Sequence, residues 1–438
     1  MKIILIVLAA LLLIGPPTAL FFLSAPLAAE FAPEPKALGP SNNIGVRVSN
    51  PHGIRSLTLR LQQGAATAAV TQQEAADRLF FWKKHLPPAI HHLMLPAGPD
   101  KGFKSGPAKL SVEAVANDLG GATITRSLDV IINLEPPRVT ADSEQHYINQ
   151  GGAELVTFTV SGYFTESGVK VGTHKFRSFP RPGGKGENDR FCLFAFPWDT
   201  PAETTPVVYA ANPAGQEVTA PFWFRIKPKK FRHRDLDLED QFIDKVNAEL
   251  DPGGTGDRIQ RFLKINGEMR RADNATLAGL RAQTEQRVLW TPPFQQLSNS
   301  KVEAFFADVR NYRYNKEKID QQVHLGFDLS KVQHAPVVAS NTGKVIHAAP
   351  LGIYGNCIVL DHGYGLQSIY AHLSSIGVKP GQTVQRGEEI GRSGSTGMAG
   401  GDHLHFSMQI DGVQVNPVEW WDPHWLKDRI FSKVPQTP

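Results

Sequence analysis

From Leu110 to Ile132 apolar residues alternate with other types on both sides of Ala116-Asn117-Asp118-Leu119-Gly120. The same pattern returns from Pro206 to Ile226 around Ala211-Asn212-Pro213-Ala214-Gly215. A period of two interrupted by Asn, Gly and Pro predicts a β-hairpin in each place. Two copies roughly a hundred residues apart predict tandem β-sandwich modules. We place them at residues 31–135 and 136–228, divided at Glu135-Pro136-Pro137. Beyond Lys227-Pro228-Lys229-Lys230 the period changes. Leu236, Phe242, Ile243, Val246 and Leu250 recur at helical spacing behind Asp235 and Asp237, which predicts a helix with an acidic first turn. A second helix is expected from Asp257 with Ile259, Phe262 and Leu263, and a third capped by Asn274 with Leu277 and Leu280. This helical linker, residues 229–289, precedes a β-rich C-terminal domain expected over 290–430, beginning near Trp290.

Composition agrees with a mainly β chain. Of 438 residues, 41% are hydrophobic and 20% charged, as in ordinary globular proteins, and 39 glycines and 32 prolines without a fixed period favour turns and short strands. A net charge of +4 is too small to argue for nucleic-acid binding, yet does not repel an anionic polymer. Between Lys2 and Glu30 no charged residue occurs, so residues 1–30 are expected to act as a membrane anchor, or as a signal peptide cleaved near Ala28 and Ala29. Either way the remainder is expected outside the cytoplasm, anchored to the inner membrane and facing the periplasm, or secreted after cleavage. The two cysteines, Cys192 and Cys357, fall in different expected domains, which argues against a disulfide framework and against a cysteine-based metal site. Any metal must then be held by His and carboxylates.

Histidine is the residue to follow. Eight of the 15 histidines lie beyond residue 320. In His324-Leu325-Gly326-Phe327-Asp328 an extended strand would point the imidazole and the carboxylate to one face, with Gly326 leaving space between them. In His403-Leu404-His405-Phe406 two imidazoles share a face while Leu404 and Phe406 turn towards a core. Both pairs suit zinc, which takes His nitrogen and Asp oxygen and, when catalytic, keeps three protein ligands and a water. His362 stands in the turn Asp361 to Gly365 and reads as a turn residue; His334, His347 and His424 are expected to face solvent. Cys357 in its apolar run reads as a small buried residue. The glycines of Arg392 to Gly401 lack the Gly-Lys-Ser/Thr ending of a phosphate loop and are expected to line a substrate groove.

Several separated segments carry a resemblance. HLGFD at His324 to Asp328, YGNCIVLDHGYGLQSIYAHLS at Tyr354 to Ser374, VKPGQTVQRGEEIGRSGSTG at Val378 to Gly397 and GDHLHF at Gly401 to Phe406 occur in the order seen in lysostaphin-type, or LytM-like, zinc endopeptidases of peptidoglycan. The stretch from Trp290 to the C-terminus resembles that family, and the upstream modules resemble immunoglobulin-like spacers of exported bacterial proteins. The resemblance implies a flattened, barrel-sandwich peptidase fold that hydrolyses peptide cross-links of the cell wall. It assigns His324, Asp328 and His405 to Zn2+, and His403 and His372 to catalysis beside the metal. The expected partners are peptidoglycan, the membrane through the N-terminal segment, and other envelope proteins through the β modules. The competing expectation is a catalytically inactive wall-binding or hydrolase-activating protein on the same fold; the complete ligand set argues against it. Lipoyl and biotinyl carrier domains and the glucose-type phosphocarriers of bacterial sugar uptake share the Val378 to Gly391 pattern, but no suitable carrier lysine is present and the export segment argues against a cytoplasmic phosphocarrier.

Overall fold

The computed structural model describes residues 25–74, 80–118 and 120–434. The expected anchor at 1–30 thus falls largely outside the described residues, among which no helix is long and apolar enough to cross a membrane. Ala28–Phe31 is already a strand, paired antiparallel with Ser41–Ser49. The chain divides into two units by contacts. One contains residues 1–138 with 162–165 and 211–218, and the other contains the rest.

In the first unit the predicted hairpin is present. Gly106–Ala116 and Thr123–Ile132 run antiparallel with Leu110 opposite Leu128, inside a five-stranded sheet that also contains Ile54–Gln63. Alternation puts Leu110, Val112 and Ala114 on one buried face with Leu57, Leu59 and Leu61. Ile44, Val46, Leu93 and Leu95 of a three-stranded sheet complete that core.

The second unit starts with another pair of four-stranded sheets. One contains Ala153–Ser161 antiparallel to Asp189–Ala195, and the other contains Val207–Ala211 beside Glu217–Pro221, the strands of the second predicted hairpin, of which residues 211–218 are grouped with the first unit. Buried polar groups join this β module to the chain's C-terminal end. Glu419 accepts hydrogen bonds from Asn149 Nδ2 and the Ala153 amide, both at 2.7 Å, and Lys433 Nζ reaches Glu154 at 2.9 Å.

The helical region departs from the expected pattern in two places. Leu236 belongs to a strand, His233–Asp237, which lies parallel to Asp308–Tyr314, and the helix begins only at Asp240. The unpaired edge of the 308–314 strand supplies backbone partners that local periodicity does not reveal. Asp257 does cap a helix, accepting from the Ile259 and Gln260 amides. Asn274, however, lies inside the helix Arg270–Gly279, which continues from Arg258–Lys264 through one π-turn, Ile265–Met269. Asn274 is free of capping because its Oδ1 receives the Tyr354 hydroxyl at 2.8 Å. These helices do not merely connect. Ile243, Val246, Phe262, Ile265 and Leu277 share one core with Tyr312, Ile353, Tyr354, Cys357, Val359, Ile369 and Ala371. Each fully buried side chain of that size contributes about 1.5–3 kcal/mol.

The C-terminal domain is organised by a large antiparallel sheet. Its order is Lys301–Ala304, Phe327–Ser330, Leu404–Ile410, Leu366–Leu373, Asn356–Asp361, Gly343–Pro350 and Thr383–Val384, with Val413–Val415 paired to Leu404–Ile410. The strands Leu366–Leu373 and Leu404–Ile410 are buried along their whole length, so both faces are covered. Leu404–Ile410 lies between Leu366–Leu373 and Phe327–Ser330, which brings the second histidine motif beside the first.

Candidate metal centre

His324 ends the strand Glu317–His324, and Asp328 belongs to the next strand, Phe327–Ser330, in a different sheet. The single extended strand expected for the HLGFD segment is therefore broken at Leu325-Gly326. The turn still brings the two side chains together, with His324 Nε2 2.9 Å from Asp328 Oδ1. Register then delivers the third group, because Asp328 pairs directly with His405 across the sheet. His405 Nδ1 lies 2.9 Å from His324 Nε2 and 3.1 Å from Asp328 Oδ1. The space that Gly326 leaves is filled by the His405 ring, since a Cβ on Gly326 would stand 2.6 Å from its Cε1 and Nε2. Leu404 and Phe406 turn into the core, as alternation requires.

This donor set fits a metal ion. One potential ligand atom from each of His324, Asp328 and His405 falls within 4.8 Å of the others, and all three residues are buried. Two imidazole nitrogens and a carboxylate oxygen converge on one point, and a protein-only arrangement must fill it with shared protons. A divalent cation satisfies all three at once. Burial, and next the charge of Arg310, push the His324 ring down to about 4, and burial likewise lowers His405; neutral imidazoles are the ligating form. Burial alone would raise Asp328, but the surrounding imidazoles outweigh it and hold the carboxyl well below its usual range. Outside the cluster, His324 Nδ1 lies 3.1 Å from the Phe305 carbonyl, whereas His405 Nε2 is buried without a partner. Arg310 grips the other carboxylate oxygen, with Nη2 2.7 Å from Asp328 Oδ2.

A model of peptidase family M23 matches residues 322–417, which span every residue of this cluster. The C-terminal domain belongs to peptidase family M23. Over 96 residues the chain is 45% identical to an uncharacterized metalloprotease of Haemophilus influenzae, covering 22% of this chain and 20% of that one. It is 41% identical over 97 residues to the DD-carboxypeptidase/endopeptidase Mpg of Neisseria meningitidis, covering 22% of each. To the peptidoglycan DD-endopeptidase ShyA of Vibrio cholerae it is 40% identical over 96 residues, again 22% of each. The matched stretch is about a fifth of the length of these relatives.

Two further histidines of the M23 domain face the same cavity. It holds about 270 Å³ and is lined by His324, Asp328, His372, His403 and His405. His372 has φ 61°, in the left-handed region that is costly for a residue with a Cβ, next to an irregularity in the pairing of its strand with Asn356–Asp361. That conformation takes its side chain out of strand alternation. Its Nδ1 is held at 2.9 Å from the Thr396 carbonyl, and its ring centroid lies 4.9 Å from that of His403. His403 Nδ1 is 2.8 Å from the Gly401 carbonyl, and its Nε2 is 3.4 Å from Asp328 Oδ1. Both rings thus present Nε2 for chemistry. Burial pushes His372 well below the ordinary imidazole value. Burial also opposes charge on His403, but Asp328 and the Gly401 carbonyl outweigh it and raise that ring.

The glycine-rich segment does border this cavity, through Met398, Ala399 and Gly400. It is tied down by the first helix: Lys245 Nζ donates to the Ser395 and Gly397 carbonyls at 2.6 Å. His334 is exposed as expected, while His362 is fully buried. Cys192 and Cys357 are buried free thiols. Arg310 escaped notice in the sequence, although its alternation with Asp308 and Tyr312 on one strand would have placed all three on a common face.

Proposed function

We propose that this chain is a zinc-dependent endopeptidase that hydrolyses peptide cross-links of bacterial peptidoglycan, outside the cytoplasm. The observation that carries it is one cavity lined by a buried His-Asp-His cluster and two more histidines, each held through Nδ1 by a backbone carbonyl. The names of the related endopeptidases support the wall polymer as substrate. His324, Asp328 and His405 would hold the ion. Bound there, zinc would lower the pKa of its water to about 7 and polarise a carbonyl. His403 takes the proton of the attacking water at Nε2, its ring steered by the Gly401 carbonyl and by Asp328. His372, held through Nδ1, stabilises the tetrahedral oxyanion or hands a proton to the departing amine. The apolar N-terminal segment supports membrane attachment, and the β modules suit contact with the wall or with other envelope proteins.

The test is metal content of the purified chain, paired with digestion of cross-linked wall fragments and of oligoglycine. Near-stoichiometric zinc, and cleavage of cross-links that chelation abolishes, are expected. Stoichiometric metal without cleavage of either substrate would favour the inactive, activator-type role, and absence of metal would remove the basis of the proposal.

A further inference from the structure

The cavity around the metal cluster is unbalanced in charge. Arg270 and Arg310 line it together with one carboxylate, Asp328, which belongs to the cluster that would hold the metal. Asp328 meets Arg310 through a single nitrogen, Nη2, and Arg310 Nε is buried without a hydrogen-bond partner. Arg270 is held by neutral groups. Its Nε lies 3.1 Å from the Asn266 carbonyl, its Nη2 2.6 Å from Asn266 Oδ1 and 3.2 Å from the Met398 sulfur. The nearby Asp273 is turned to another task, accepting the Ile353 amide at 2.8 Å. A divalent ion would add to the positive excess. Two guanidinium groups fixed beside a metal site match a carboxylate better than any neutral group, because the planar N–H fork binds both carboxylate oxygens.

We infer that Arg270 and Arg310 form a carboxylate-binding subsite, and that the preferred substrate carries a free carboxylate on the residue that supplies the leaving nitrogen. This deepens the peptidase reading and rests on it. It distinguishes between two kinds of wall cross-link, D-amino-acid bonds and glycine bridges. A cross-link or terminus made of D-amino acids can offer such a carboxylate beside the scissile amide, whereas the interior of a glycine bridge offers none. Hydrolysis itself is unchanged: the C–N bond breaks, hydroxide goes to the carbonyl carbon and the proton to the nitrogen.

The experiment uses the zinc-loaded full chain and a D-alanyl-D-alanine peptide in which the scissile amide is replaced by a ketomethylene group, prepared with its terminal carboxylate free or amidated. Binding is read by calorimetry, so turnover is not needed. The unmodified protein should bind the free acid at least ~10-fold more tightly than the amide, roughly the value of one good charge-assisted contact. In Arg270→Gln that ratio should fall below about 3-fold, and Arg270→Lys should restore part of it. Zinc content and melting temperature of each variant report whether the fold and the metal site survive. Arg310→Lys, which keeps the charge but loses the fork, should reduce the ratio too. Equal binding of acid and amide by the unmodified protein, or a ratio that Arg270→Gln leaves intact, overturns the subsite. A ratio that behaves as expected in a protein that cleaves no cross-link supports the subsite and overturns the peptidase reading instead.

Discussion

Two buried histidine sites in the C-terminal domain look alike until their partners are compared. His362 is fully buried, and burial takes its ring down to about 4, the same value reached by His324. Yet His362 has one partner for each nitrogen. Nδ1 lies 2.8 Å from the Thr342 carbonyl and Nε2 2.7 Å from Ser368 Oγ, which continues to the Tyr370 hydroxyl at 3.0 Å. Around His324 three ligand-type atoms converge instead. Burial and a depressed pKa therefore mark both sites, and neither identifies the functional one. What separates them is convergence: a buried hydrogen-bonded histidine is structural, and several lone pairs aimed at one point call for an ion.

The comparison can be broken from either side. The largest effect is expected from Gly326→Ala, whose Cβ would collide with the His405 ring. Displacing that ligand should remove metal and reduce hydrolysis to background while the far-ultraviolet circular dichroism stays unchanged; a fully loaded, active variant would show that the ring has room elsewhere. His362→Ala should do the reverse. It leaves a cavity, takes the imidazole partner from the Thr342 carbonyl and leaves Ser368 Oγ with the Tyr370 hydroxyl alone, so it should cost about 3 kcal/mol of stability, with zinc content per folded molecule unaltered. Chemical denaturation alongside metal analysis checks both halves.

A third buried group tests whether pH acts on the fold apart from the site. Burial raises Glu419 from 4.5 to about 7, against the hydrogen bonds from Asn149 and Ala153. The folded protein thus favours its protonated form. This stabilisation is complete below pH 4.5, declines as pH rises through about 7, and is absent above that. Compared with Glu419→Gln, the unmodified protein should lose up to about 3 kcal/mol of relative stability across this window. A difference that stays flat from pH 4.5 to 8 would contradict the assignment.

Legibility from sequence followed the range of the interactions involved. The hairpins, the Asp257 cap and the pairing of His403 with His405 on one face are set by residues close in the chain, and they could be read there. His324 and Asp328 were found as a pair, but through the wrong geometry, since the turn at Gly326 depends on the His405 ring from 79 positions away. Leu236 could not be recognised as strand without its partner Tyr312, nor Asn274 as interior without Tyr354. His362 reads as a turn residue rather than a ligand, and its burial is not visible in the sequence because Thr342 and Ser368, which satisfy it, are supplied by neighbouring parts of the sheet.

The most direct test of the central claim compares two histidines separated by one leucine. His405 points Nδ1 into the cluster, and His403 keeps Nε2 at the rim. Metal analysis and a hydrolysis assay on His405→Ala and His403→Ala should therefore diverge. The first should lose both zinc and activity, with some loss of thermal stability. The second should retain near-stoichiometric zinc while its rate falls by about two to four orders of magnitude. A His403 variant that loses zinc as the His405 variant does, or that keeps full activity, would contradict the assignment of ligand and base on which the account rests.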